Sequence, residues 1–201
     1  MKGCNRRYPA IWLSSAFILI LALHMPGSVP LRAADAAPHG ARLRNPFCAI
    51  PTYVSRSIDS QGLALIGADG AGVIYIGSDE ATGGRAYRDY LMAHECCHHT
   101  RGHLRRLNAL RRENALLAVP FVNRSAELDA DCCAAVTLAR AGRQDAVREA
   151  ADRMRSYGAQ PTGAQSHPSG NARARLIEGC AASVTAASPP PKADETGGAG
   201  K

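Results

Sequence analysis

The order of patterns along the chain predicts an α+β fold, mostly helical, in which a small β-hairpin or sheet packs on a helical core. Three observations carry this. Gly62-Leu63-Ala64-Leu65-Ile66 and Gly72-Val73-Ile74-Tyr75-Ile76 are short β-type runs with the turn pair Asp69-Gly70 between them, the pattern of a hairpin. After Gly83-Gly84 the apolar period changes to three and four residues and stays helical in stretches as far as Cys180. With 46% of its residues hydrophobic and 20% charged, a chain of 201 residues has material for one core.

Residues 1–36 read as a signal peptide. Lys2, Arg6 and Arg7 precede an apolar run from Ala10 to Met25, shorter than the ~20 residues of a comfortable bilayer-spanning helix. Pro26 and Gly27 follow, and Ala34-Asp35-Ala36 has the small-x-small form of a cleavage site. The alternative is an uncleaved segment anchoring the chain to the inner membrane through residues 10–25. Residues 37–45 are small, polar and basic and read as a flexible arm, with the folded domain spanning 46–181. Whether Arg42–Ile58 packs over a cleft as a lid is open from sequence. Tyr87, Tyr90, Leu91, His94 and His98 fall at helical spacing and predict a helix ending at Gly102. Leu104, Leu107, Leu110, Leu116 and Leu117 predict a second amphipathic stretch that stops at Pro120. A third helix is expected from about Arg124 to Ala141, stopped by Gly142, and a fourth from Gln144 to Tyr157, stopped by Gly158. The last starts near Ser169, a residue suited to capping, and ends by Cys180. Residues 182–201, rich in Pro, Gly and Ala, read as a disordered tail.

Charge and cysteine content narrow the function classes. Lys and Arg number 24 against 17 Asp and Glu, a formal +7. Lys2, Arg6, Arg7 and Arg32 against Asp35 place +3 of this in the first 36 residues. The remaining +4 is too mild to imply nucleic acid, and 5% aromatics supply no stacking platform. Arg101, Arg105, Arg106, Arg111 and Arg112 form a basic run that reads as a solvated face, the alternative being contact with anionic lipid or polymer. Apart from Cys4 there are six cysteines: Cys48, Cys96, Cys97, Cys132, Cys133 and Cys180. An even count in an exported chain predicts up to three disulfides and a periplasmic or secreted protein. At least one bridge is expected between Cys96/Cys97 and Cys132/Cys133, and joining Cys48 to Cys180 would restrain both ends of the domain.

The chemistry is concentrated in His94-Glu95-Cys96-Cys97-His98. Residues four apart share a helix face, so His94 and His98 can present imidazoles to one zinc ion, with Glu95 placed to act on a water there. A third ligand is needed. Gly102-His103 is out of register for the longer motif in which a third His follows. The better candidate is Glu127, with Asp131 four residues on and on the same face. Asp131 can accept a hydrogen bond from the outer nitrogen of a ligand His. Asp129 points elsewhere and reads as a solvated carboxylate.

His94-Glu95-x-x-His98 followed by Asn123-x-x-x-Glu127-x-x-Ala130-Asp131 resembles the gluzincin zinc metallopeptidases, and within them the group of CAAX prenyl endopeptidases and bacterial heat-shock membrane proteases. The Glu of that group's E-x-x-A-D motif is the third zinc ligand, which implies Glu127. Ser166-His167-Pro168-Ser169-Gly170 with Arg173 resembles its H-P-x-x-x-x-R element. The resemblance implies a zincin-like core in which the helices of the two zinc motifs face each other, one Zn2+ per chain, and hydrolysis of a peptide or protein substrate. Glu95 would then be the general base, His167 a donor to the developing oxyanion or a turn histidine before Pro168, and Arg173 a residue that orients a carboxylate or caps the last helix. The multiple membrane spans of the larger members are missing and the cysteine doublets are additional, so membrane or prenylated substrates do not carry over. Two rivals stand beside the peptidase: a non-catalytic metal-binding or interaction protein on the same scaffold, and a disulfide-stapled domain without metal.

Overall fold

The structure is a computed structural model that describes residues 40–161 and 167–186. The expected signal peptide, Ser166 and the tail beyond Ala186 lie outside the described residues. A four-stranded sheet precedes the helices. Its strands are β1 (Arg42–Leu43), β2 (Thr52–Ser55), β3 (Gly62–Ile66) and β4 (Gly72–Gly77), in the order β1-β2-β4-β3. The expected hairpin is present: β3 and β4 are antiparallel, with Ile66 opposite Gly72. Strand β2 runs parallel to β4, and β1 pairs antiparallel with β2. Side chains alternate across a strand, so Ile74 and Ile76 point together into the core, where both are fully buried.

Helices α1 (Ser78–Thr82), α2 (Arg85–Thr100), α3 (His103–Arg112), α4 (Val119–Arg140), α5 (Gln144–Ser156) and α6 (Gly170–Ala186) follow, with a 3-10 turn at Leu116–Ala118 before α4. Helix α2 is the centre of the molecule, packed against β3 and β4 on one side and α4 and α5 on the other. From Asp89 to His98 each of its residues is buried. Alanines make the close helix packing feasible. Ala126, Ala130, Ala134 and Ala135 on α4 and Ala146, Ala150 and Ala151 on α5 are buried, and short side chains let helix axes approach. Gly142 and Gly158 end α4 and α5 in the left-handed region, at φ 70° and 78°.

Several boundaries differ from the sequence reading, each for a physical reason. The arm at 37–45 is not loose over its described part: Val54 N–H donates to Ala41 O at 2.9 Å, and the Asn45 amide donates to Thr52 Oγ1 at 3.0 Å. Arg42–Ile58 forms the sheet edge remote from β3 rather than a lid. The second amphipathic stretch does not run on to Pro120. It stops at Arg112, with Asn114 at φ 55° in the conformation that terminates helices. Pro120 opens α4 instead of ending α3, because a residue lacking N–H suits a first helical turn, whose donors have no intrahelical acceptor. The last helix continues past Cys180 to Ala186, held by buried Ala181 and by Val184 packed on the core. The tail therefore begins later than residue 182.

Three disulfides join these elements: Cys48–Cys96, Cys97–Cys133 and Cys132–Cys180. The α2–α4 bridge is the expected one. Cys48 and Cys180 do not pair with each other. The doublets explain the difference: neighbouring helix positions face about 100° apart, so each doublet reaches two partners. Cys96 reaches back to the β1–β2 loop while Cys97 reaches α4, and Cys132 reaches α6. Such bridges point to an oxidising compartment. Among the described residues no helix is long and apolar enough to cross a membrane.

Candidate metal centre

All-round burial of α2 gives each residue of the His94–His98 turn a different neighbour. His94 and His98 face α4, where Glu127 meets them. The two Nε2 atoms are 3.0 Å apart, His94 Nε2 lies 3.4 Å from Glu127 Oε2, and His98 Nε2 lies 3.6 Å from Glu127 Oε1. Bonds of ~2.0–2.1 Å in a tetrahedral site put neighbouring ligand atoms about 3.3–3.4 Å apart. The observed triangle brackets that value, and all three residues are buried. The group can hold a metal ion.

Behind the triangle stands a second carboxylate. Asp131, fully buried, lies 3.0 Å from His94 Nδ1, at an angle too bent for a straight hydrogen bond. It is fixed from three sides: Tyr90 Oη donates at 2.6 Å, Arg173 Nε at 2.7 Å and Arg173 Nη2 at 2.8 Å. Arg173 also reaches Glu127 Oε2 at 3.5 Å. Arg173 thus orients carboxylates, and the capping role falls to Ser169, whose Oγ accepts from Ala172 N–H at 3.3 Å.

Glu95 lies against β3 and lines the same cleft as His94, His98 and Glu127. A Cβ placed on Gly62 would stand 2.6 Å from Glu95 Oε1, so glycine there makes room for the carboxylate. Burial raises the Glu95 carboxyl to about 7, against the lowering effect of His94 and of the Ala64 backbone N–H. Burial works against ionised Glu127 and Asp131 as well. It is outweighed, through His94 for Glu127 and through Arg173 and His94 for Asp131, and both carboxyls are held below their ordinary range. His167 is looser. Its side chain is 37% exposed, with Nε2 at 3.8 Å from Glu127 Oε1.

One pair escaped the sequence reading. His103, rejected as a ligand on register, is buried behind His98, with the two Nδ1 atoms 3.3 Å apart. Its Nε2 lies 2.9 Å from Asp129 Oδ2. A single tautomer set satisfies the row: His98 Nδ1–H donates to His103 Nδ1, and His103 Nε2–H donates to Asp129. Asp129 is therefore not merely solvated, since it anchors the ring that backs a ligand. The signal was available, because His103 and Asp129 both lie close to the two motifs. Their spacing alone, 26 residues, could not reveal that the α2–α3 turn folds one onto the other.

A cleft of about 420 Å3 opens over this group, lined by Leu63 and Leu65 of β3, Leu104 and Leu107 of α3, and Asn123 of α4 among others. A hollow of similar size, about 430 Å3, lies against Arg42–Thr52, and no acid or histidine lines it. Compared with known protein families, curated proteins and solved structures, the chain matches none.

Proposed function

We propose that the protein is a zinc-dependent metalloendopeptidase of gluzincin type, acting outside the cytoplasm on a peptide or protein substrate. The observation that carries this reading is the convergence of two imidazoles and one carboxylate at a cleft floor, with a further carboxyl, Glu95, buried beside them. His94, His98 and Glu127 would hold the ion. When bound, zinc supplies Lewis acidity that makes water nucleophilic near neutral pH and polarises a carbonyl. Glu95, poised near 7, accepts the proton of the attacking water and passes it to the leaving amine. His167, at the cleft wall, donates to the oxyanion as it develops. Arg173 and Tyr90 keep Asp131 ionised and in place, and Asp131 in turn steadies His94.

The edge position of β3 supports a polypeptide substrate. In the order β1-β2-β4-β3, β3 is the last strand of the sheet among the described residues and it lines the cleft, so an extended chain can add along it as a further strand. Glu95→Gln is the test. It keeps the ligands and should retain about one zinc per chain while losing cleavage of a peptide library by at least roughly a hundredfold. Cleavage at the parent rate overturns the assignment. A parent that binds zinc but cleaves nothing supports the non-catalytic metal-binding reading.

A further inference from the structure

Outside the first 36 residues, the positive charge of the chain is concentrated in one place. Between residues 101 and 126 the sequence holds Arg101, Arg105, Arg106, Arg111, Arg112 and Arg124 against Glu113 alone, so six minus one gives +5 of the formal +7. This stretch folds as α3, the 3-10 turn and the first turns of α4. Arg101 is partly matched by Asp129 at 4.0 Å, while Arg105, Arg106, Arg111 and Arg112 are exposed. The same stretch carries the most exposed large apolar side chains described: Leu116 at 59%, Leu117 at 90% and Phe121 at 74%. Leu117 and Phe121 lie four residues apart across the junction of the 3-10 turn and α4, and both are exposed.

We propose that α3 and the start of α4 form a docking surface for an anionic lipid bilayer. Leu116, Leu117 and Phe121 enter the headgroup region, and Arg105, Arg106 and Arg112 lie over lipid phosphates. Both halves of the pattern are needed to choose the partner. A soluble polyanion would be held by the arginines and would leave Leu117 and Phe121 in water. An apolar groove on another protein would be repelled by nothing but would have no use for the arginines. A bilayer interface with acidic headgroups satisfies both, since apolar side chains partition into it while basic ones are attracted to its surface charge. Helix α3 also lines the cleft through Leu104, Leu107 and Arg111, so docking places the cleft mouth near the lipid surface. That placement bears on substrates only if the peptidase reading holds; the lipid contact itself does not depend on it.

The test is a local one, because residues 10–25 can bind lipid independently. In the full chain, Trp12→Phe removes the only native tryptophan and Phe121→Trp puts a reporter in the surface. With vesicles of phosphatidylcholine and phosphatidylglycerol, emission from position 121 should shift to the blue and be quenched by bromolipid. Phosphatidylcholine alone should leave it unchanged. Adding R105Q, R106Q and R112Q should lower partition from the surface by roughly tenfold or more, and raised salt should weaken it. Water-like emission at 121 in the presence of anionic vesicles overturns the proposal, whether or not the chain sediments with them. Equal quenching on both vesicle types also overturns it. So does retention on heparin that depends on the three arginines while position 121 ignores lipid, since that describes a polyanion site.

Discussion

His94 and His98 sit one helical turn apart and aim their Nε2 atoms at one point, yet their surroundings drive their charge states in opposite directions. Burial disfavours the charged form of both rings. For His94 the carboxylates of Asp131 and Glu127 outweigh it and the ring is raised above its ordinary value. For His98 burial, reinforced by the charge on His94, lowers it. The difference lies in what stands behind each ring. His94 backs onto a fully buried carboxylate locked by Arg173 and Tyr90, whereas His98 backs onto the His103 ring, which leans on half-exposed Asp129. Without metal, one ligand of the group thus holds a proton and the other is ready to coordinate.

The largest effect should come from breaking the buried side. Asp131→Ala leaves the Arg173 guanidinium inside the protein without the carboxylate that accepts two of its donors. Removing one partner of a buried pair costs about 3–5 kcal/mol. Urea unfolding of the metal-free protein should show a loss of that size, with Arg173→Ala in the Asp131→Ala background adding little. A loss under about 1 kcal/mol would mean that the network does not organise this side of the site.

Glu95 gives a second, pH-dependent handle. Its folded-state value, raised to about 7, means that the native metal-free protein favours the protonated acid. Stability from this group is present in full below the ordinary carboxyl value near ~4.3 and is lost as pH rises through about 7. Glu95→Gln mimics the protonated form. Thermal unfolding should therefore find the variant more stable than the parent at pH 8, by up to about 3 kcal/mol, and nearly equal at pH 4. An equal effect at both pH values would show that Glu95 is not held in a desolvated place.

Much of this was legible in the sequence. The hairpin, the positions of the long helices and the His94/His98 pair follow from local pattern, because i and i+4 on a helix is a statement about neighbours, whereas Glu127 is reached through the resemblance to a family motif. What was not legible depends on distant neighbours. Strand β2 is four residues, too short to announce itself, and it pairs directly and parallel with β4, skipping β3 in sequence. Pro120 was misjudged because proline marks both the end of one helix and the start of another. Asp129 was set aside because helix phase separates it from Glu127 and Asp131. The turn between α2 and α3, which brings His103 beneath His98, is what gives Asp129 a partner.

The wetter side of the comparison should respond more mildly. His103→Ala removes the acceptor for His98 Nδ1, and Asp129→Asn weakens the anchor of His103. Partners that orient a metal-bound His contribute about 10–100-fold in affinity. Zinc competition titration should find a loss in that range for His103→Ala and a smaller one for Asp129→Asn, with the fold intact by circular dichroism. If Asp129→Asn cost more than Asp131→Asn, the assignment of the two sides would be reversed.

The gentlest experiment reads the proton itself. A His94 raised above the ordinary ~6.5 is still charged at pH 7.5 in the metal-free protein. Metal cannot bind a protonated nitrogen, so uptake must expel that proton, and affinity should climb by up to about tenfold per pH unit from neutrality upward. Calorimetry in buffers of different ionisation enthalpy should count about one proton released per zinc at pH 7.5. Asp131→Asn removes the negative charge nearest His94 Nδ1 and should lower that count, because the ring then sits closer to its ordinary value. His103→Ala should leave the count nearly unchanged, since His98 is already neutral. A proton count that falls equally in both variants would mean that the two rings share one environment after all.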